Sequence, residues 1–169
     1  MMENWKLPDN FADVLPRQAR RLEAMRRTCL DLFASHGFEL VQPPLVEFVD
    51  SLLTGNGRDL GNLTFKFMDQ ANGRTLGLRA DATPQIARID AHILNRRGVA
   101  RLCYALNCLH LRARHPLASR EPIVAGAELF GASGAEADAE MMKLAVKALR
   151  RLGCKHIHID IGHAGVLPA

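Results

Sequence analysis

Residues 101–131 read RLCYALNCLH LRARHPLASR EPIVAGAELF G. Two apolar runs, Arg101 to Arg112 and Glu121 to Phe130, flank the irregular stretch Ala113 to Ser119 with its Pro116. Runs of this length and composition predict the two long strands of a hairpin. The chain then breaks at Gly131 to Gly134. Glu128 is a lone carboxylate among apolar neighbours on the second run. Removed from water, such a group needs an amine or a guanidinium as partner. The connecting loop carries Arg114, with Arg112 and Arg120 at its two ends, and their planar guanidinium heads suit phosphate or carboxylate. Taken alone, it reads as an exposed loop with ordinary charges.

Working outward, Leu7 to Pro16 contains two prolines and reads as an irregular arm. From Arg17 to His36 the apolar residues Leu22, Met25, Cys29, Leu32 and Phe33 recur at helical spacing, with Gly37 placed to end the helix. Phe38 to Val41 reads as a strand stopped by Pro43-Pro44. A short helix is expected over Val46 to Leu53, then a glycine-rich loop from Gly55 to Gly61. Phe65 to Asp69 alternates as a half-buried strand does. Asn72-Gly73 is a tight-turn signal, and Arg74 to Arg79 returns as the second strand of that hairpin. A helix follows from about Thr83 to Gly98, another spans Ala135 to Leu152, and a strand covers His156 to Ile161. The order implies an α+β fold with a mainly antiparallel sheet flanked by helices. Regular βα alternation and a glycine fingerprint are both missing, which argues against a dinucleotide-binding or barrel fold.

Composition narrows the functional classes. The chain has 169 residues, 48% hydrophobic and 24% charged, the balance of a globular domain with one core. No apolar run approaches the ~20 residues of a membrane-spanning helix, and Met1 to Lys6 does not read as a secretory signal. A cytoplasmic location and reduced, buried cysteines are therefore expected. Neither Cys29, Cys103, Cys108 and Cys154 nor the seven histidines show metal-ligand spacing, so no metal is expected. A net charge of +4 with acid and arginine mixed on helix faces reads as a solvated surface, and no nucleic-acid or membrane partner is expected.

The segment Leu78-Arg79-Ala80-Asp81-Ala82-Thr83-Pro84 places a cation, a carboxylate and a hydroxyl at a strand-to-helix junction. Taken singly, each of these features has a structural reading, and Asp81 or Thr83 simply caps the helix there. Together with the hairpin they resemble the catalytic core of class II histidyl-tRNA synthetases. The resemblance runs from Leu7-Pro8 to the final strand. The arm, first helix and Val41-Gln42-Pro43-Pro44 resemble motif 1, which in the family builds the dimer interface. Leu78 to Pro84 resembles Leu-Arg-Pro-Glu-Gly-Thr, with Asp81 standing for the glutamate and Thr83 kept. Arg101 to Gly131 resembles motif 2 and the strand behind it without a gap, through Arg101-Leu102, Tyr104, Arg120, Gly126, Glu128 and Phe130-Gly131. By this resemblance Asp81, Thr83 and Glu128 bind an amino-acid ligand, and residues 1–169 form the N-terminal part of a synthetase-like core domain whose remainder is absent.

One stretch departs from the family. Its motif 2 reads Phe-Arg-x-Glu, where the arginine holds the α-phosphate and the acid helps seat adenine. Here the positions are Leu109-His110-Leu111-Arg112. A neutral imidazole replaces a permanent guanidinium, and Arg112 reverses a charge. Losing such a cation costs roughly 3–4 kcal/mol of transition-state stabilisation, by analogy with an oxyanion-hole donor. No catalytic residue is therefore assigned.

The wording of Thr64-Phe65-Lys66, Gly73 to Asp81, Thr83 to Arg88 and Ala118 to Pro122 is similar to the regulatory subunits of ATP phosphoribosyltransferase, which are synthetase-like and non-catalytic. This resemblance implies a hetero-oligomer with a short catalytic subunit, self-association as a dimer, no cofactor, and sensing of free histidine as feedback inhibitor. The ligand-binding set it implies is Asp81, Thr83, Glu128 and an arginine for the carboxylate, Arg112, Arg114 or Arg120. The alternatives are an active synthetase and an RNA-binding module using the arginine-rich first helix.

Overall fold

The computed structural model describes residues 5–162, without the side chains of 55–58. The readings of Met1 to Asn4 and of the loop after Gly162 lie outside the described residues. Helix α1 (Pro16–Ser35) begins with proline at its first turn, where a missing N–H costs nothing, and ends before Gly37 at φ +79°. It leads into the short strand β1 (Glu39–Leu40). Strand β5 (Ala100–Asn107) pairs parallel with β1 and antiparallel with β6 (Ile123–Phe130) over its whole length, making one three-stranded sheet with β5 central.

The second sheet also has three strands. Strand β4 (Thr75–Leu78) lies between β2 (Val46–Phe48) and β3 (Lys66–Met68), antiparallel to both. Val46 to Phe48 was expected to be helical and is instead strand β2. Val46 and Phe48 suit a pleated edge, and pairing with Leu78 and Leu76 overrides the local helical pattern. Only Val49–Leu52 forms the helix α2. The glycine-rich stretch is wound as a 3-10 segment, Gly55–Asn62. Helix α3 (Thr83–Arg88) continues as a π-helical turn, Ile89–Leu94, and stops at Asn95 with φ +43°. Helix α4 (Ala135–Arg151) has Glu136 and Asp138 in its first turn and Arg150 and Arg151 in its last, each favourable to the helix dipole.

Helices cover both faces of the β1–β5–β6 sheet. Cys29, Leu32 and Phe33 of α1 and Leu144 of α4 pack with Phe38 and Cys103 on one face. Ala82, just ahead of α3, and Ile86 of α3 pack with Leu102, Tyr104 and Leu106 on the other. The α+β, mainly antiparallel architecture expected from sequence is what the chain adopts.

Three expectations need correction. The first hairpin strand was expected to reach Arg112, but its regular pairing stops at Asn107. Pro122 has no N–H to return, so Cys108 donates to the Pro122 carbonyl without reciprocation, and Leu109 and Leu111 donate instead to Arg79 and Leu63. His156 to Ile161 carries no strand pairing, and Ile159 and Ile161 stand exposed. Cys154 is exposed, unlike the buried Cys29, Cys103 and Cys108.

Candidate functional site

The face of β6 turned towards α3 presents Val124, Gly126, Glu128 and Phe130, because alternate strand residues share a face. Opposite them on β5 stand Leu106, Tyr104, Leu102 and Ala100. Gly126 lies across from Tyr104, and a Cβ there would sit 2.5 Å from the Tyr104 ring. The missing side chain lets the ring lie flat over the strand and brings its hydroxyl towards Glu128.

Three polar groups meet at this point. The Thr83 hydroxyl donates to Glu128 Oε1 at 2.8 Å. The Tyr104 hydroxyl is 3.4 Å from the same oxygen and 3.4 Å from Thr83 Oγ1. Burial pushes the Glu128 carboxyl above the ordinary carboxylate range, against the bonds from Thr83 and Tyr104, and nearby Asp81 adds to the rise. Burial likewise pushes the Tyr104 phenol up to about 12. A carboxylate held in this way gains from a cation placed beside it.

Asp81 reaches the site from the turn before α3. Its Oδ1 accepts the Thr83 backbone N–H at 2.8 Å. The N-cap of α3 is Ala82, without a side-chain bond, so neither Asp81 nor Thr83 is the helix cap read from sequence; the Asp81 bond closes a turn ahead of the helix and fixes the Thr83 backbone, whose hydroxyl serves Glu128. Arg79, considered as a gripping cation, is committed to structure instead. It is 5% exposed and donates to the carbonyls of Asn107 at 2.8 Å, Pro43 at 3.0 Å and Pro44 at 3.1 Å. It thereby ties β4, the proline pair and β5 together.

His110 is 3% exposed. Its Nε2 lies 3.0 Å from the Ala80 carbonyl, which can only accept, so the proton is assigned to Nε2. Its Nδ1 is buried without a partner among the described residues. His110 N–H donates to the Arg120 carbonyl at 2.7 Å, and Arg120 Nε donates back to the His110 carbonyl at 3.1 Å. The Arg120 head lies 4.8 Å from the Phe11 ring centroid and 5.0 Å from that of Phe65, fastening the N-terminal arm. Leu109 is half-buried, whereas Leu111 and Arg112 are exposed.

A cavity of about 370 Å³ opens beside Asp81, lined among others by Ala80, His110, Arg114, Ser119 and Val124. Of the residues expected at a ligand site only Asp81 and Arg114 line it; Thr83, Glu128, Arg112 and Arg120 do not. A larger groove of about 440 Å³ lies between α1, α4 and β6, but its wall is apolar apart from Arg26, which is paired with Glu23. It offers no constellation for chemistry. Among the described residues no group of three or more His, Cys, Asp or Glu side chains is arranged to hold a metal, and no helix is long and apolar enough to cross a membrane.

Sequence reasoning singled out Asp81, Thr83 and Glu128, and the fold brings them together. It matched Tyr104 only as an anchor of the resemblance. A glycine within a strand, at Gly126, signals close approach of another group, but the register that identifies this group as Tyr104 comes from the pairing.

The family described as Histidyl-tRNA synthetase matches residues 10–169. The ATP phosphoribosyltransferase regulatory subunit of Paraburkholderia phytofirmans is 57% identical over 168 residues, 99% of this chain and 44% of the relative. That of Cupriavidus pinatubonensis is 56% identical over 169 residues, 100% of this chain and 44% of the relative. The chain thus spans less than half the length of the curated relatives it matches. A solved ATP phosphoribosyltransferase regulatory subunit/histidyl-tRNA synthetase from Bacillus halodurans aligns with a TM-score of 0.77 at 27% identity, covering 90% of this chain and 39% of that one. Apo histidyl-tRNA synthetase of S. aureus aligns with a TM-score of 0.73 at 20% identity over 89% of this chain and 35% of that one, a likeness of fold.

Proposed function

This chain belongs to the histidyl-tRNA synthetase family, and from that membership we propose that the protein is a regulatory subunit of ATP phosphoribosyltransferase that does not itself activate an amino acid. The observation that carries this reading is His110. It occupies the position where the family resemblance expects the arginine that holds the α-phosphate. Its ring is buried and bonded to the Ala80 carbonyl. An imidazole so engaged does not supply the permanent, bidentate charge of a guanidinium. Arg112, in place of the expected acid, is exposed. The identity of 56–57% to relatives named as regulatory subunits supports the same reading.

The amino-acid half keeps its acceptors. Free histidine would place its ammonium among Asp81, Glu128 and the Thr83 hydroxyl, where Glu128 lacks a cationic partner among the described residues. The partners are the short catalytic subunit, in a hetero-oligomer required for the first step of histidine biosynthesis, and a second synthetase-like chain. The reading needs no cofactor and places the assembly in the cytoplasm, with residues 1–169 as part of a synthetase-like core domain. Histidine then acts by binding one state of the assembly more tightly than the other.

The test is co-purification of the full-length protein with the short catalytic subunit, followed by phosphoribosyl transfer assays. Activity should require both subunits and fall when histidine is added. Histidine-dependent exchange of pyrophosphate into ATP by the protein alone would instead identify a synthetase. RNA affinity falling steeply with salt would favour the RNA-binding alternative.

A further inference from the structure

We infer that Arg114 is the anion anchor of the cavity beside Asp81, so that the site takes a zwitterion with its ammonium towards Asp81 and its carboxylate on the Arg114 guanidinium. This rests on reading the site as an amino-acid pocket and adds which residue selects the carboxylate end.

Three arginines of the loop could in principle supply that charge, and the structure separates them. Arg120 is committed. Its Nε donates to the His110 carbonyl, its Nη1 lies 3.5 Å from the Asp9 carbonyl, and two phenylalanine rings cover its head. Arg112 is exposed and lies outside the cavity wall. Arg114 is exposed as well, but unlike Arg112 it lines the cavity, and it takes part in no hydrogen bond or ion pair among the described residues.

The rest of the wall fits a small amphoteric ligand. Asp81 is the acceptor for a cation. His110 lines the cavity at 3% exposure with Nδ1 unpartnered, a buried acceptor for an N–H donor. Val124, Ala80 and Ala118 close the remainder with apolar surface. One carboxylate and one guanidinium across a cavity of about 370 Å³ match opposite charges on one small molecule. A phosphate-rich ligand would meet Asp81 with no second fixed cation.

Calorimetry on the full-length protein with L-histidine and with histamine, which keeps the ring and amine but lacks the carboxylate, tests the assignment. Histidine should bind at least about tenfold more tightly than histamine, as expected for a charge-assisted bond. Arg114→Ala should remove that advantage and leave histamine binding unchanged, which also reports an intact pocket. Arg114→Lys should restore part of it, and Arg112→Ala should change neither ligand by more than about twofold. Equal binding of the two ligands, equal loss of both on Arg114→Ala, or dependence on Arg112 instead would overturn the assignment. If histidine does not bind, the other protein amino acids are compared with their carboxylate-free amines. An Arg114-dependent preference there upholds the anchor while refuting histidine as ligand, and no binding of any of them refutes both.

Discussion

At one end of the β6 face, Thr83, Tyr104 and Glu128 converge within 2.8–3.4 Å of one another and the acid is partnered by hydroxyls alone. At the other end, His110 is turned inward onto Ala80, and the charged groups of the loop are pinned to the arm or exposed. The two ends share one strand and one turn, yet they differ in what holds them. The first keeps a buried charge short of a counter-charge, a costly arrangement suited to receiving a ligand. The second has given up the phosphate-gripping position to packing and keeps a single arginine, Arg114, on a cavity wall. A pocket can therefore lose one half of its chemistry while the scaffold stays the same, because the scaffold depends on different residues.

Arg79 is the residue on which both ends rest. Arg79→Met should be the most damaging change, at about 3 kcal/mol or more, because it strands the carbonyls of Pro43, Pro44 and Asn107. Urea denaturation measures the loss. A cost under about 1 kcal/mol would mean that water replaces the guanidinium, and the two ends would then not depend on one clamp.

Gly126→Ala should come next, at about 1–3 kcal/mol, since the added methyl group meets Tyr104 at 2.5 Å. Its effect should be confined to the Glu128 end. Displacing the ring withdraws the hydroxyl from Glu128 and weakens ligand binding. Thermal melting and histidine titration of the same variant would show whether stability and binding fall together.

Glu128→Gln should have the smallest effect and the opposite sign. The raised carboxyl means the folded state holds its proton more tightly than the unfolded chain does. Stability from this group is present at low pH and lost as pH rises from the ordinary 4.5 through the raised value. The glutamine variant should therefore melt about 2–4 °C higher than the parent at neutral pH, with the difference closing below pH 4.5. It should also bind histidine less well. A variant less stable at neutral pH would mean that Thr83 and Tyr104 fully offset the burial of the charge.

Much of this was legible in the residues. Helices α1 and α4 follow from their apolar spacing, and the Asn72-Gly73 turn and the long hairpin from their turn chemistry. Asp81, Thr83 and Glu128 stand out as polar groups at a strand end or among apolar neighbours. Strand β2 was not legible, because three residues carry too little periodicity to outweigh a helical reading. Nor was the early end of β5, which depends on Pro122 being its partner.

The sequence by itself determined the α+β class, the family, the histidine at position 110 and the acids of the ligand half, since these depend on local pattern and residue identity. Only the tertiary structure decided which arginine does what. Arg79, Arg114 and Arg120 carry the same charge and the same fork of donors. Whether that fork meets buried carbonyls, aromatic rings or an open cavity is set by strand register and loop course, which bring together residues 10 to 111 positions apart.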